Sequence, residues 1–307
     1  MFIRNGNSWL VQDFRLVERE MNFAMKSIMD WKREYFQTAV LITVIFLSVR
    51  LNLPEIARRV FSDASVSISA ISPFWQLAIG SGRWVLAIVV VFVAWRVIRR
   101  INKDYVLKQN IPNDIVWHTY LDYWLCRYVL SIKKLSLTRI PIPMQFKLVW
   151  NGLFLYDYMD GITEKEEDKD EVKVERFQDN PLTSTVNLVL ADTYPLDWKS
   201  KLPASVLNLT TIVIDRTGEK GARYYSKDFV KKISSTVHDL SSNVTTINLF
   251  ATINTAHCYH ITREVFMTGG RDTLKHLVVY EQSKGSWVFE DYLRDLQKVL
   301  VSSLVVQ

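Results

Sequence analysis

The sequence predicts a membrane protein with two N-terminal transmembrane helices followed by a cytoplasmic α/β domain, whose sheet is Rossmann-like and mainly parallel. Three observations predict it. Phe36–Val49 and Phe74–Trp95 are apolar runs, and clustered Arg and Trp residues flank them. From Pro181 onward, short strand-like apolar runs alternate with helical patterns, which is the rhythm of βαβ units.

Residues Ser8–Glu34 carry apolar side chains at Leu10, Val11, Phe14, Val17, Met21, Met25, Ile28 and Trp31. That spacing marks an amphipathic helix, which either lies on the membrane surface or binds a partner helix in an oligomer. The first apolar run is short for a span of about 20 residues. Leu51 and Leu53 extend it if Arg50 snorkels to the headgroups. The second run holds Arg83 after Gly80-Ser81-Gly82 and then continues as Trp84–Trp95. Trp75, Trp84 and Trp95 supply aromatic anchors. Neither run is a cleaved signal peptide, because the charged segment 1–35 precedes both.

Lys26, Lys32 and Arg33 precede the first span, and Arg96, Arg99, Arg100 and Lys103 follow the second. The intervening loop holds Arg50, Arg58 and Arg59. The positive-inside bias then puts both termini in the cytoplasm and residues 51–73 outside. The net charge of +6 is partly this juxtamembrane excess, which favours an anionic leaflet and is weak support for binding a nucleic-acid polymer. Two cysteines, Cys126 and Cys258, fit a reducing compartment without a disulfide framework.

Pro112-Asn113 opens a helical stretch reaching about Lys134, and Pro141 and Pro143 stop it. Met144–Trp150 and Leu153–Met159 flank Asn151-Gly152 and read as a β-hairpin. Asp160-Gly161 marks a second turn. Glu164–Glu175, with seven acids and three lysines, reads as a solvated loop. Strands follow at Val186–Ala191, Leu209–Ile214, Thr246–Ala251 and Leu277–Tyr280. Helices fall at about Ser226–Leu240, Thr255–Met267 and Asp291–Leu300. The chain therefore divides into 1–35, 36–103, a connecting helix and hairpin region over 104–180, and an α/β domain over 181–307.

Sites in parallel sheets lie beyond the carboxyl ends of the strands. Those ends give Asp192-Thr193-Tyr194, Asp215–Gly221, Thr252–His257 and Glu281–Lys284. Their hydroxyl, amide and basic groups, with adjacent helix N-termini, suit phosphate oxygens, although any one such residue can equally be a cap or a turn former. No G-x-G-x-x-G or P-loop is present, which argues against a dinucleotide cofactor or NTP hydrolysis. His257-Cys258-Tyr259-His260 has no second ligand pair at zinc spacing. His257 reads as a capping or ligand-contacting residue, and Cys258 as buried. No G-x-S-x-G elbow supports serine catalysis, so no catalytic residue is assigned and the chain reads as a non-enzyme. Arg83 sits either at the outer interface or on a hydrated path between subunits. Gly80 and Gly82 beside it permit close helix packing.

The run Thr211-Ile-Val-Ile-Asp215-Arg-Thr-Gly218, a following helix, then Ile247–Ala256, a second helix and Leu277–Glu281 resemble the C-terminal half of SAVED domains, relatives of the CARF fold. With two N-terminal spans, the chain is similar to transmembrane SAVED effectors of bacterial CBASS antiphage systems. The resemblance implies a sensor of a cyclic di- or trinucleotide made by a nucleotidyltransferase. It implies ligand-induced homo-oligomerisation, loss of inner-membrane integrity and abortive infection. Ligand contacts would fall at Arg216, Thr217, Gly218 and Lys220, and at Thr252, Asn254, Thr255 and His257. SAVED domains hold two CARF-like halves, whereas only one is clear here. Residues 112–180 are a diverged first half, or a second subunit completes the site. A membrane-anchored scaffold whose α/β domain binds a protein partner is the alternative from a different class.

Overall fold

The computed structural model describes residues 28–50, 83–110, 118–154, 156–158, 171–178, 180, 182–216, 224–268, 273–282, 289–290 and 298–300. The chain splits into two compact units, Met1–Leu135 and Ser136–Gln307.

In the first unit, helices α1 (Lys32–Arg50) and α2 (Arg83–Ile101) pack against each other. On α1 the buried residues are Glu34, Leu41 and Ser48, one every seventh position, so a single stripe faces inward. Most other apolar side chains are exposed, among them Phe36, Ile42, Phe46, Ile88, Phe92 and Val97. Among the described residues, no helix is long and apolar enough to cross a membrane. Lys32, Arg33, Glu34 and Arg50 occupy the ends of α1, and Arg83, Arg96, Arg99 and Arg100 those of α2. The apolar middles are consequently shorter than the hydrocarbon layer, which is about 30 Å thick. The loop 51–73, Gly80, Gly82 and the N-terminal helix up to residue 27 lie outside the described residues.

Strand β1 (Val106–Leu107) pairs in parallel with β2 (Lys134–Ser136) through Val106 and Lys134. Between them α3 (Tyr120–Tyr128) starts at a capping box. Thr119 accepts from the Asp122 backbone N–H, and the Asp122 carboxylate accepts from the Thr119 N–H at 2.8 Å. Within the predicted helix of 112–134, the described helical part is this shorter element.

The second unit opens with α4 (Ile142–Trp150), which replaces one strand of the predicted hairpin. Pro143 falls in its first turn, where a missing N–H costs nothing. The chain leaves the helix at Gly152, whose φ is +54°. Its N–H donates to Val149 O at 3.1 Å, and Leu153 N–H to Leu148 O at 3.2 Å. Asn-Gly here ends a helix instead of turning a hairpin.

After β3 (Tyr156–Tyr158) come β4 (Lys173–Phe177), β5 (Thr185–Ala191), α5 (Trp198–Lys201), β6 (Thr211–Asp215), α6 (Lys227–His238) and β7 (Thr246–Thr252). Then follow α7 (Thr255–His260), which continues as a π-helix over Ile261–Thr268, and β8 (His276–Gln282), β9 (Phe289–Glu290) and β10 (Lys298–Leu300). The main sheet runs β10-β8-β7-β5-β6-β4, with β9 paired to β8. Its four central strands are parallel, and β4 and β10 are antiparallel edges. Two expectations are corrected here. The C-terminal part of the supposed solvated loop is edge strand β4, and Lys298–Leu300 is a strand where a closing helix was expected. In both, pairing with a formed neighbour overrides local composition.

Alternate residues of β5 divide between two cores. Val186, Leu188 and Leu190 join Phe229, Ile233, Ile261 and Phe266 from the helices. Val189 faces Val213, Phe250, Leu202 and Val206. Burial of both faces gives the near-continuous apolar runs that marked these strands in the sequence. On the second face Asn187 and Asn248, direct partners in register, bond side chain to side chain at 3.1 Å.

Candidate functional site

The strand order reverses at β5. The chain runs from β5 to β6 on one side, then crosses to β7 on the other. This is the switch point at which open α/β sheets form a crevice. Register sets Ala191 beside both Asp215 and Thr252, so the residues following the three strands become neighbours.

Asp192 is the centre. Its Oδ1 accepts from Arg216 Nε at 2.9 Å and Nη2 at 2.6 Å. Its Oδ2 accepts from His257 Nδ1 at 2.7 Å and from Asn254 Nδ2 at 3.3 Å. The Ser226 backbone N–H donates to His257 Nε2 at 2.9 Å. That bond leaves the lone pair on Nε2 and the proton on Nδ1, which donates to Asp192. Asn254 caps α7 by accepting from the His257 N–H at 2.8 Å. Arg216 Nη2 and Asn254 Nδ2 both donate to Tyr224 O, and the guanidinium lies 4.5 Å from the Tyr224 ring centroid. The side chains of Asp192, Arg216 and His257 are fully buried. Removing this charge pair from water is costly, and the dense set of hydrogen bonds offsets that cost.

The residue types Ser226, His257 and Asp192 match a catalytic triad, but the roles do not. Ser226 meets His257 through its backbone, while its Oγ accepts from the Phe229 N–H as the cap of α6. Among the described residues, no nucleophile is presented to the imidazole. Among the described residues, no group of three or more His, Cys, Asp or Glu side chains is placed to hold a metal ion.

Of the residues singled out in the sequence, Arg216, Thr252, Asn254 and His257 come together here. Thr252 Oγ1 donates to Tyr194 O at 3.2 Å. These four are buried and bonded to protein groups, whereas Thr255, Thr193 and exposed Tyr194 form the accessible rim. Thr217, Gly218 and Lys220 lie outside the described residues, as do Gly80 and Gly82, and of Arg83 only the helical backbone is described. Sequence reasoning noted Asp192 as a loop residue without making it the hub, and it read Ser226 only as the start of a helix. An acid directly after an apolar strand at the switch point was the available signal for the first. Tyr225 faces both His257 and His260, at ring-centroid distances of 5.5 and 4.3 Å.

The fold and this crevice define a class: a doubly wound α/β unit with a polar network at its switch point, on one chain with a pair of apolar helices. The chain belongs to the SMODS- and Ubiquitin system-associated 2TM effector domain family, whose model matches residues 19–293. Two solved structures of the Acinetobacter baumannii Cap4 SAVED/CARF-domain containing receptor are similar to it. One is with the cyclic trinucleotide 3'3'3'-cAAA (TM-score 0.40) and the other with 2'3'3'-cAAA (0.37). Each is 9% identical, over 51% of this chain and 36% of the receptor, so the chain spans little more than a third of the receptor's length. Among curated proteins, none matches the chain. The resemblance to a transmembrane effector family read from the sequence agrees with this family.

Proposed function

We propose that this chain is an antiphage effector that senses a cyclic di- or trinucleotide in its α/β unit, oligomerises and disrupts the inner membrane in which α1 and α2 are inserted. The observation that carries the reading is family membership across residues 19–293, in a family described as a two-transmembrane effector domain. The exposed apolar surfaces of α1 and α2 suit contact with acyl chains rather than water. The apolar runs 36–49 and 74–95 are the two spans, with residues 51–73 outside and both termini cytoplasmic.

The ligand sits over the carboxyl ends of β5, β6 and β7. Thr193, Tyr194 and Thr255 meet it from the rim, together with Thr217, Gly218 and Lys220. Asp192, Arg216, Asn254 and His257 hold the three loops at the correct spacing beneath it. Gly80 and Gly82 let spans from neighbouring subunits approach, and Arg83 lines the hydrated path between them. No enzymatic family is indicated, and the effect is exerted through the bilayer.

The test uses the full chain in lipid nanodiscs, titrated calorimetrically with a panel of cyclic di- and trinucleotides. Binding of one member, weakened by Thr255→Ala, supports the reading. In cells making that nucleotide, Gly80→Leu with Gly82→Leu should retain binding and lose membrane depolarisation. Absence of binding across the panel sinks the sensor and favours the scaffold.

A further inference from the structure

Helix α3 is apolar on the side it turns to solvent. Leu121, Trp124 and Tyr128 are 61, 41 and 54% exposed, and their i, i+3, i+7 spacing puts them on one face. Trp124 and Tyr128 lie against each other with ring centroids 5.3 Å apart. The opposite face, Tyr123 and Cys126, is buried.

Two hydrogen bonds fix the level of this helix relative to α2. Trp95 Nε1 donates to Val129 O at 2.8 Å, and Asn102 Nδ2 donates to Leu130 O at 3.0 Å. The C-terminal end of α3 is therefore held beside the last two turns of α2. Those turns mix exposed Val97 and Ile101 with exposed Arg96 and Arg100, and Lys103 follows. The Arg99 guanidinium lies 4.4 Å from the Trp95 ring centroid, and that of Arg127 lies 5.6 Å from Tyr128. Tryptophan, tyrosine and arginine at the end of an apolar helix are the composition of a headgroup boundary.

We infer that α3 is an interfacial helix: it seats Leu121, Trp124 and Tyr128 in the headgroup region of the leaflet reached by the C-terminal end of α2, with the surrounding arginines on anionic lipid. This rests on the membrane insertion of α1 and α2 proposed above. Apolar contact holds the face, and the basic groups add attraction to negative headgroups.

The experiment places a fluorescent label at Leu121→Cys, Val93→Cys or Lys231→Cys in the full chain. The protein is reconstituted in phosphatidylglycerol–phosphatidylethanolamine vesicles carrying a nitroxide at the headgroup or deep in the acyl chain. Cys126 and Cys258 are buried, and the unsubstituted chain supplies the background. The Leu121→Cys label should be quenched several-fold more by the headgroup nitroxide than the Lys231→Cys label, and Val93→Cys most by the deep nitroxide. Quenching at Val93→Cys without quenching at Leu121→Cys overturns the inference while the spans stand, and it is the outcome expected if a second copy covers α3. Stronger quenching of Leu121→Cys by the deep nitroxide overturns the interfacial placement. No quenching at either site overturns the membrane reading and the inference together.

Discussion

Asn102 and Gln37 exchange both side-chain hydrogen bonds, Asn102 Nδ2 to Gln37 Oε1 at 2.8 Å and Gln37 Nε2 to Asn102 Oδ1 at 3.2 Å. The fully buried Asn102 also accepts from Arg33 Nη2 at 2.8 Å and donates to Leu130 O. One amide thus ties together both apolar helices and the segment after α3. Such a knot favours one register of α1 against α2, since sliding either helix leaves buried polar groups without partners.

Asn102→Leu should lower the stability of the full chain by about 1–3 kcal/mol, the cost of stranding buried partners, read as a fall in melting temperature in detergent. Adding Gln37→Leu should recover part of the loss, because both halves of the amide pair are then gone. A double variant with the summed loss of the two singles would remove the pairing from the account.

Arg216→Ala leaves the Asp192 carboxylate buried with only His257 and Asn254 as side-chain donors. A loss of about 3–5 kcal/mol follows from breaking a buried ion pair on one side. Arg216→Lys should fall between the two, since an ammonium keeps the charge but not the two-point contact on Oδ1. Wild-type melting behaviour in Arg216→Ala would show that the pair is not buried as described.

His257→Ala strands the Ser226 N–H, at about 1–3 kcal/mol, and leaves Asp192 Oδ2 with only the longer bonds from Asn254. His257→Phe fills the space without restoring either bond and should rescue little. Rescue by phenylalanine would mean that packing, not hydrogen bonding, sets the role of this residue.

Gly152→Ala meets open space, because an added Cβ at this position has nothing within 4 Å. Only the left-handed backbone is penalised, by about 1 kcal/mol. Gly152→Asn should cost less. A much larger effect of Ala would contradict the open surroundings.

Burial pushes the Cys126 thiol well above its usual pKa, with Glu34 and Asp122 adding to the shift. The thiolate is the reactive form, so native protein at pH 8 should resist iodoacetamide at both buried cysteines and react fully in guanidinium. Mass spectrometry reads the outcome. Rapid alkylation of the folded chain would refute the burial of these thiols.

The parallel core was legible because β5, β6, β7 and β8 are apolar on both faces and bounded by polar turns. The starts of α6 and α7 were legible as well, and there Ser226 and Asn254 open their helices with side chains that bond backbone three residues on. The edges were not. Lys173–Phe177 is charged and alternates weakly, and it is a strand only because β6 offers a partner. Met144–Trp150 opens with the alternation Met-Gln-Phe-Lys-Leu, which imitates a strand, although Gln145 is buried in a helix. At the site, the sequence supplied Arg216, Asn254 and His257 but not their common partner. One aspartate after a strand looks like a turn former until register shows it flanked by two other strand ends.

The central position of β5 also has a consequence for biosynthesis. Its neighbours β6 and β7 are made later, and the pair Ala191–Thr252 waits for a segment far along the chain. Long-range parallel pairing closes late, whereas α1 and α2 leave the ribosome well before it. The apolar helices are thus delivered while Asp192 still lacks Arg216, Asn254 and His257. A nascent chain has its apolar helices before it has an assembled crevice, so a truncated product ending short of β7 would carry the helices without the network around Asp192.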